Sequence, residues 1–288
     1  MAPALTDDAV GTIATGERTV RRFGFGAMRI TGPGIWGPPP DHDGAIAVLR
    51  RAVELGVNLI DTADSYGPNV SEELIAEALY PYPEDLLIAT KGGLVRTGPG
   101  RGWPADGRPE HLREACEGSL RRLRLDTIEL YQDHRPDPKV PYEISIGALK
   151  ELQAEGKIRH VGVSNVSLDQ LETAREIVEV VSVQNRFSLI DRSSQDVLDR
   201  CEELGIAFFP WAPIESGHLA QPGGPVDRIA SRHDATPAQV ALAWLLAHSP
   251  VILPIPGTSS VEHLEQNLGA ASLRLSQDEL AELESASG

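Results

Sequence analysis

The sequence predicts an α/β protein built as one (β/α)8 barrel domain over residues 1–288. Three observations carry that expectation. Short apolar runs alternate with helix-period segments eight times in about 260 residues. No Pro/Gly/Ser-rich linker, charge run or low-complexity tract divides the chain, which speaks against a doubly wound sheet with a second domain. Polar residues also gather at the carboxyl ends of the apolar runs, the rim where barrels of this kind keep their sites.

The elements follow in order. "TIATGERTVRRF", with a turn near Gly16, reads as a hairpin ahead of the first unit. The strand candidates are "FGFGAM" (23–28), "NLIDTA" (58–63), "LLIATK" (86–91), "IELYQDH" (128–134), "RHVGVSN" (159–165), "VSVQNRF" (181–187), "AFFPWAP" (207–213) and "VILPIP" (251–256). The helical patterns lie between them. "GAIAVLRRAVELG" is apolar at 45, 46, 48, 49, 53 and 55 and stops at Gly56. "SEELIAEAL" opens with Ser71 as a cap, and "RPEHLREACEGSLRRL" with Pro109 in the first turn. "EISIGALKELQAEG" ends on Gly156, "SLDQLETAREIV" starts from Ser167, and "SSQDVLDRCEELG" ends on Gly205. "TPAQVALAWLLAH" and "SSVEHLEQNLGAA" complete the series. Two loops, 29–43 and 92–107, exceed the usual length, and long loops on a barrel are commonly functional covers. Each carries a tryptophan, Trp36 or Trp103, which either walls an apolar pocket or seals the loop against the barrel.

Composition bounds the function. A formal charge of −16 argues against nucleic acid and anionic membranes, which both call for basic patches. Cys116 and Cys201 are the two cysteines, 85 residues apart, and read as free thiols of a reducing compartment. The opening "MAPALTDDAV" has neither a basic leader nor an apolar core, and "VALAWLLA" is too short to span a bilayer, so a cytoplasmic location is expected. No HxH, HExxH or Cys/His cluster suggests a metal, and "GFGAM" runs into a loop, so no dinucleotide-binding GxGxxG unit is present.

The rim residues carry the chemistry. Asp61 ends the second strand and Tyr66 follows it; Lys91 ends the third and His134 the fourth. Ser164 and Asn165 end the fifth, Gln184 lies in the sixth and Trp211 late in the seventh. Taken singly, each has an ordinary reading: a strand-end cap, a packing tyrosine, a solvated turn, a backbone-bonded histidine. Together they suit proton transfer. A free tyrosine, with a pKa of about 10, is a poor proton donor at neutral pH. An ammonium about 4 Å away contributes roughly 4 kcal/mol at an effective dielectric of 20. That predicts a phenol lowered by two to three units, taking about 1.4 kcal/mol per unit. A buried lysine needs a carboxylate to stay charged, so Asp61 anchors Lys91, Lys91 makes Tyr66 an acid, and His134 directs the substrate oxygen. Four of the 26 basic residues are lysines, against 22 arginines, and one of the four stands at this strand end.

"LIDTADSYG", "ATKGG" and "ELYQDHRPD", with "GALKELQAEGKIRHVGVSN" and "VQNRFSL", resemble the aldo-keto reductase family over essentially the whole chain, and "GFGAMRITGPGIWGPP" looks like a bacterial subgroup associated with pyridoxal reduction. The resemblance implies a barrel with a hairpin under its base, NADPH extended across the rim, and reduction of an aldehyde or ketone in a monomer or weak oligomer. By carry-over, Asp61, Tyr66, Lys91 and His134 are catalytic, and Ser164, Asn165 and Gln184 hold the nicotinamide amide. Trp211 stands where the family usually has a stacking aromatic. Gly26, Ala27 and Met28 would run beside the cofactor, and Ile214, Ser216 and Gly217 would fold over its pyrophosphate. At the adenosine end, Gly257 and His263 replace basic residues that many relatives carry. Thr258, Ser259 and Ser260 remain at a helix start, as phosphate ligands or an ordinary cap, with His263, Gln266 and Asn267 on the next turns. NADPH is favoured over NADH. A small aromatic aldehyde is the expected substrate, with Trp36, Trp103 and Trp211 as pocket walls. Some relatives, such as potassium-channel auxiliary subunits, keep the barrel and cofactor as binding or sensing modules, which is the alternative function.

Overall fold

Strands buried on both faces require near-continuous apolar runs, and the computed structural model, which describes residues 4–286, sets these runs side by side. A helical turn α1 (Asp7–Val10) leads into an antiparallel hairpin, β1 (Thr12–Thr15) and β2 (Arg18–Arg21), turned at Gly16 with φ +72°. Parallel strands follow in sequential order: β3 (Phe25–Gly26), β4 (Leu59–Asp61), β5 (Leu87–Gly92), β6 (Ile128–Asp133), β7 (Ile158–Ser164), β8 (Val180–Gln184) and β9 (Ala207–Phe208). The register aligns Asp61 with Gly26 and with Ala89, Gly92 with Asp133, and Ser164 with Gln184, so the carboxyl ends share one rim.

The eighth expected strand, 251–256, closes the ring without forming a full ladder. Val251 O accepts from Phe208 N and Leu253 N donates to Phe208 O, both at 2.9 Å. On its other side, Pro254 O and Pro256 O accept from Gly24 N (2.9 Å) and Gly26 N (3.3 Å). Two prolines without N–H groups can only accept, so pairing is sparse where the barrel shuts. Contact at that seam is tight. A Cβ on Gly26 would lie 2.6 Å from Ile255 O, and one on Gly257 would lie 2.4 Å from Gly26 O.

Helices wrap the sheet: α2 (His42–Glu54), α3 (Val70–Leu79), α4 (Pro109–Leu123), α5 (Tyr142–Ala154), α6 (Leu168–Ile177), α7 (Gln195–Leu204), α8 (Pro225–Arg232), α9 (Pro237–His248), α10 (Val261–Gly269) and α11 (Gln277–Ala286). Pro109 opens α4, Ser167 and Thr236 form capping boxes, and Gly205 ends α7 with φ +69°. Ser71 is not a cap. It lies inside α3, accepts from Thr62 Oγ1 and donates to Ala27 O, tying three elements together. Helices α1, α8 and α11 are additions to the expected set. The hairpin covers the amino-terminal mouth, where Arg21 N donates to Asn58 Oδ1, Glu17 N to His160 Nε2, and Arg22 Nε to Ile252 O. Among the described residues no helix is long and apolar enough to cross a membrane.

Candidate active site

Strand β4 ends on Asp61, whose buried carboxylate accepts from three side-chain donors there. Lys91 Nζ donates to Oδ2 at 2.7 Å, while Gln132 Nε2 (3.1 Å) and Gln184 Nε2 (2.8 Å) donate to Oδ1. Lys91 is fully buried and donates also to Thr62 O at 2.8 Å and to Tyr66 Oη at 3.5 Å. The ammonium sits 5.2 Å from the centre of the Tyr66 ring. Asp61, Lys91 and Tyr66 therefore meet in one buried cluster.

The charges in that cluster differ in one respect from the sequence-based expectation. Burial by itself would lower the Lys91 ammonium, but Asp61 and Tyr66 together outweigh it and hold its pKa above the ordinary value. Tyr66 was expected to become more acidic. Its phenol is instead pushed up, because burial outweighs the downward pull of Lys91, with the negative charge of Asp61 adding to the rise. The lysine keeps the shift in check without reversing it. His134 is held well below the usual imidazole range by burial first, then by Lys91 and Arg135, so the ring is neutral. Its Nδ1 lies 3.4 Å from Ser65 Oγ, and its ring packs edge-on to Tyr66 at 5.7 Å.

A cavity of about 520 Å³ opens over this cluster, within the range of small-molecule sites. Tyr66, His134 and Asp61 stand in its wall, as do Ser164, Asn165, Gln184 and Trp211. Asn165 adopts the left-handed region (φ +58°), which turns its amide to donate to His134 O (3.0 Å) and Ser164 Oγ (2.9 Å). Its Oδ1 accepts from Trp211 Nε1 at 3.1 Å, fixing the indole, with Arg186 over that ring at 5.4 Å. Gly26, Met28, Ile214 and Gly257 continue the wall toward the β3 seam, and Trp103 faces Tyr66 edge-on at 6.1 Å. A second cavity, about 540 Å³, shares Met28, Arg29, Ile35 and Gly257 with the first and reaches Thr258 and Ser259.

Several expected residues lie outside both cavities. Lys91 is beneath the floor, and the buried Ala27 bonds Ser71 through its carbonyl. Ser216 donates to Ile214 O at 3.4 Å, and Gly217 opens a 3-10 turn. At the start of α10, Thr258 Oγ1 accepts from Ser260 N and Ser260 Oγ from His263 N, which is an ordinary capping arrangement. His263 and Gln266 are exposed on that helix, and Asn267 is buried. Trp36 does not wall the cavity. Arg96 lies 5.6 Å from its ring and 3.7 Å from that of Trp103, and donates to Ile35 O and Gly34 O, clamping the two long loops together.

Sequence reasoning missed Arg29, Ile35, Leu94, Arg135 and Glu215, all of which line the cavity. Arg29 directly follows "GFGAM" and Arg135 directly follows His134, so extending each motif by one residue would have found both. The glycine at 257 also gains a reason. A side chain there would strike Gly26 O at 2.4 Å, so a basic residue at 257 does not fit this seam, and Arg29 beside it supplies a cation on the same wall.

Residues 22–287 match the Aldo/keto reductase family. An uncharacterized oxidoreductase of Schizosaccharomyces pombe is 50% identical over 281 residues, 98% of this chain and 91% of that protein. Pyridoxine 4-dehydrogenase of Escherichia coli is 42% identical over 279 residues, 95% of this chain and 97% of its own length. The crystal structure of an aldo/keto reductase from Klebsiella pneumoniae in complex with NADP and acetate superposes with a TM-score of 0.81 at 27% identity, covering 95% of this chain and 94% of that one.

Proposed function

Because the chain belongs to the aldo/keto reductase family, we propose that it reduces an aldehyde or ketone to an alcohol, with NADPH as reductant and Tyr66 as the proton donor. The observation that carries this reading is the buried Asp61–Lys91–Tyr66 cluster at the cavity floor, with neutral His134 beside it. The residues present fit a nicotinamide dinucleotide. Gln184 Oε1 and the second lone pair of Asn165 Oδ1 can accept from an amide, Ser164 supplies a hydroxyl, and the Trp211 indole offers a face for stacking. Arg29, which bridges the two cavities, supplies a cation for the phosphates. When bound, the reduced dinucleotide supplies the hydride that the carbonyl carbon accepts.

The chain's own residues do the rest. In the tautomer with its hydrogen on Nε2, His134 can accept from Ser65 at Nδ1 and hold the carbonyl oxygen in place. The Tyr66 O–H then gives that oxygen its proton. A phenol with a raised pKa suffices, since an alkoxide approaches the basicity of hydroxide, the conjugate base of an acid with pKa about 15.7. Lys91, kept charged by Asp61, stabilises the phenolate left behind. The small aromatic aldehyde expected from the sequence, pyridoxal among them, suits a wall carrying Trp103, Trp211 and Leu94. Mixing the protein with NADPH and a panel of such aldehydes tests the reading. Loss of absorbance at about 340 nm, abolished by Tyr66→Phe with cofactor affinity within a few-fold of the parent, is expected. Tight cofactor binding with no turnover on any aldehyde would favour a sensing module instead.

A further inference from the structure

We infer that Arg135 makes this site selective for carbonyl substrates that carry an oxyanion, a carboxylate or a phosphate monoester, away from the reacting group. The inference rests on the reductase reading and extends it to substrate class. It comes from charge accounting around the 520 Å³ cavity. Four charged side chains line it besides neutral His134: Arg29, Asp61, Arg135 and Glu215. The two acids are compensated from outside the wall, Asp61 by Lys91 at 2.7 Å and Glu215 by Arg186 at 2.5 Å. Among the described residues, the side chains of Arg29 and Arg135 have neither a hydrogen bond nor an ion pair. Both are exposed to solvent, so the cavity of a chain with formal charge −16 presents at its open edge two cations that no acid of the protein pairs.

Their positions separate their uses. Arg29 stands at the Gly257 seam, on the wall common to both cavities, where a dinucleotide's phosphates would lie. Arg135 directly follows His134, lines the 520 Å³ cavity but not the second one, and is close enough to disfavour protonation of that imidazole. An acid on the protein would be the simple way to neutralise such a guanidinium, and this acid-rich chain pairs most of its arginines in that way. Here none is provided. An oxyanion on the substrate, with Trp103 and Leu94 against its apolar body, completes the pairing, and a guanidinium fits carboxylate and phosphate alike by two parallel hydrogen bonds.

The experiment compares kcat/KM, with NADPH, for 4-carboxybenzaldehyde, 4-formylphenyl phosphate and the neutral methyl 4-formylbenzoate. The parent should prefer at least one anionic aldehyde over the ester by about tenfold, the worth of one charge-assisted hydrogen bond at a partly wet site. The preference should lie in KM and shrink as salt is raised; whichever anion gains more identifies the oxyanion recognised. Arg135→Gln should bring the ratio near unity, and Arg135→Lys should restore part of it. Equal efficiency for all three aldehydes in the parent, or a preference that survives Arg135→Gln, would overturn the inference and leave the reductase reading standing. Calorimetric titration of the same aldehydes into the NADP+-saturated protein gives a readout without turnover. The same order of affinities there, with no reduction in the kinetic assay, would instead overturn the reductase reading and keep the inference.

Discussion

Replacing Lys91 with methionine removes the cation while keeping the length of the stem, and its consequences can be worked from the distances. At 2.7 Å and an effective dielectric of 20, the attraction to Asp61 is about 6 kcal/mol. Part of that is already spent on taking both groups out of water, so breaking the pair by removing one partner costs about 3–5 kcal/mol. Gln132 and Gln184 still donate to Asp61 in the variant, which favours the lower end of that range. The informative measurement is a double-mutant cycle by urea unfolding, followed through the fluorescence of the four tryptophans. Lys91→Met should lose about 3 kcal/mol. Adding Asp61→Asn should recover most of the loss, because the stranded charge is gone, yet reduction should stay absent in both variants. A single variant within about 1 kcal/mol of the parent, or a double variant no more stable than the single, would refute the view that Asp61 exists to hold a buried ammonium.

The other predictions test separate parts of the structure. With its phenol pushed above 10.0, Tyr66 keeps its proton at every pH below that value, so kcat/KM for reduction should stay level from about pH 6 to 9 and fall only above about 10; a fall centred near 7 would mean that Lys91 wins over burial. Burial, reinforced by Asp137, raises the Asp133 carboxyl to about 7, and neither of its oxygens has a partner. A folded value of about 7 against the ordinary 3.8 means stability fully present below the unfolded value and lost as pH rises from there through 7, so Asp133→Asn should stabilise the protein by up to about 4 kcal/mol at pH 8, by about 1.6 kcal/mol at pH 5 and hardly at all at pH 3, measured as the shift in urea midpoint. Arg96→Ala should release the two long loops from each other, raising KM and exposing 29–43 and 92–107 to limited proteolysis, with the barrel's melting temperature little changed. Cys116 and Cys201 are buried with thiols pushed up to about 12, so Ellman's reagent should find no reactive thiol until the protein is unfolded.

What could be read from the chain was mainly its order. Parallel strands joined by right-handed crossovers put every carboxyl end on one rim, so once the apolar runs are found, Asp61, Lys91 and His134 must converge whatever the details of packing. The eighth run reads as a strand in the sequence but forms only an isolated bridge to Phe208, because Pro254 and Pro256 bring no N–H and it meets β3 through carbonyls alone. Helix α11 escaped because Leu280 and Leu283 are a thin apolar signal in an acid-rich segment. Helix α8 escaped because "QPGGP" just before it reads as loop. In both cases tertiary packing supplies what the local pattern lacks.

The sign of the Tyr66 shift was beyond reach for a different reason. A Coulomb term between neighbours can be written down from two residue types and an assumed distance, and it gave roughly 4 kcal/mol in favour of the phenolate. Desolvation has no such local form. It depends on how completely Trp103, His134 and the β4–α3 turn shut water away from one oxygen, and Tyr66 is 6% exposed. The Asp61 charge, brought in to keep Lys91 an ammonium, also acts on the phenol and opposes its ionisation. The same carboxylate therefore secures the cation and offsets it. The net effect is a tyrosine that holds its proton until a strongly basic oxygen is set beside it, which is the behaviour wanted of an acid that must not ionise between turnovers.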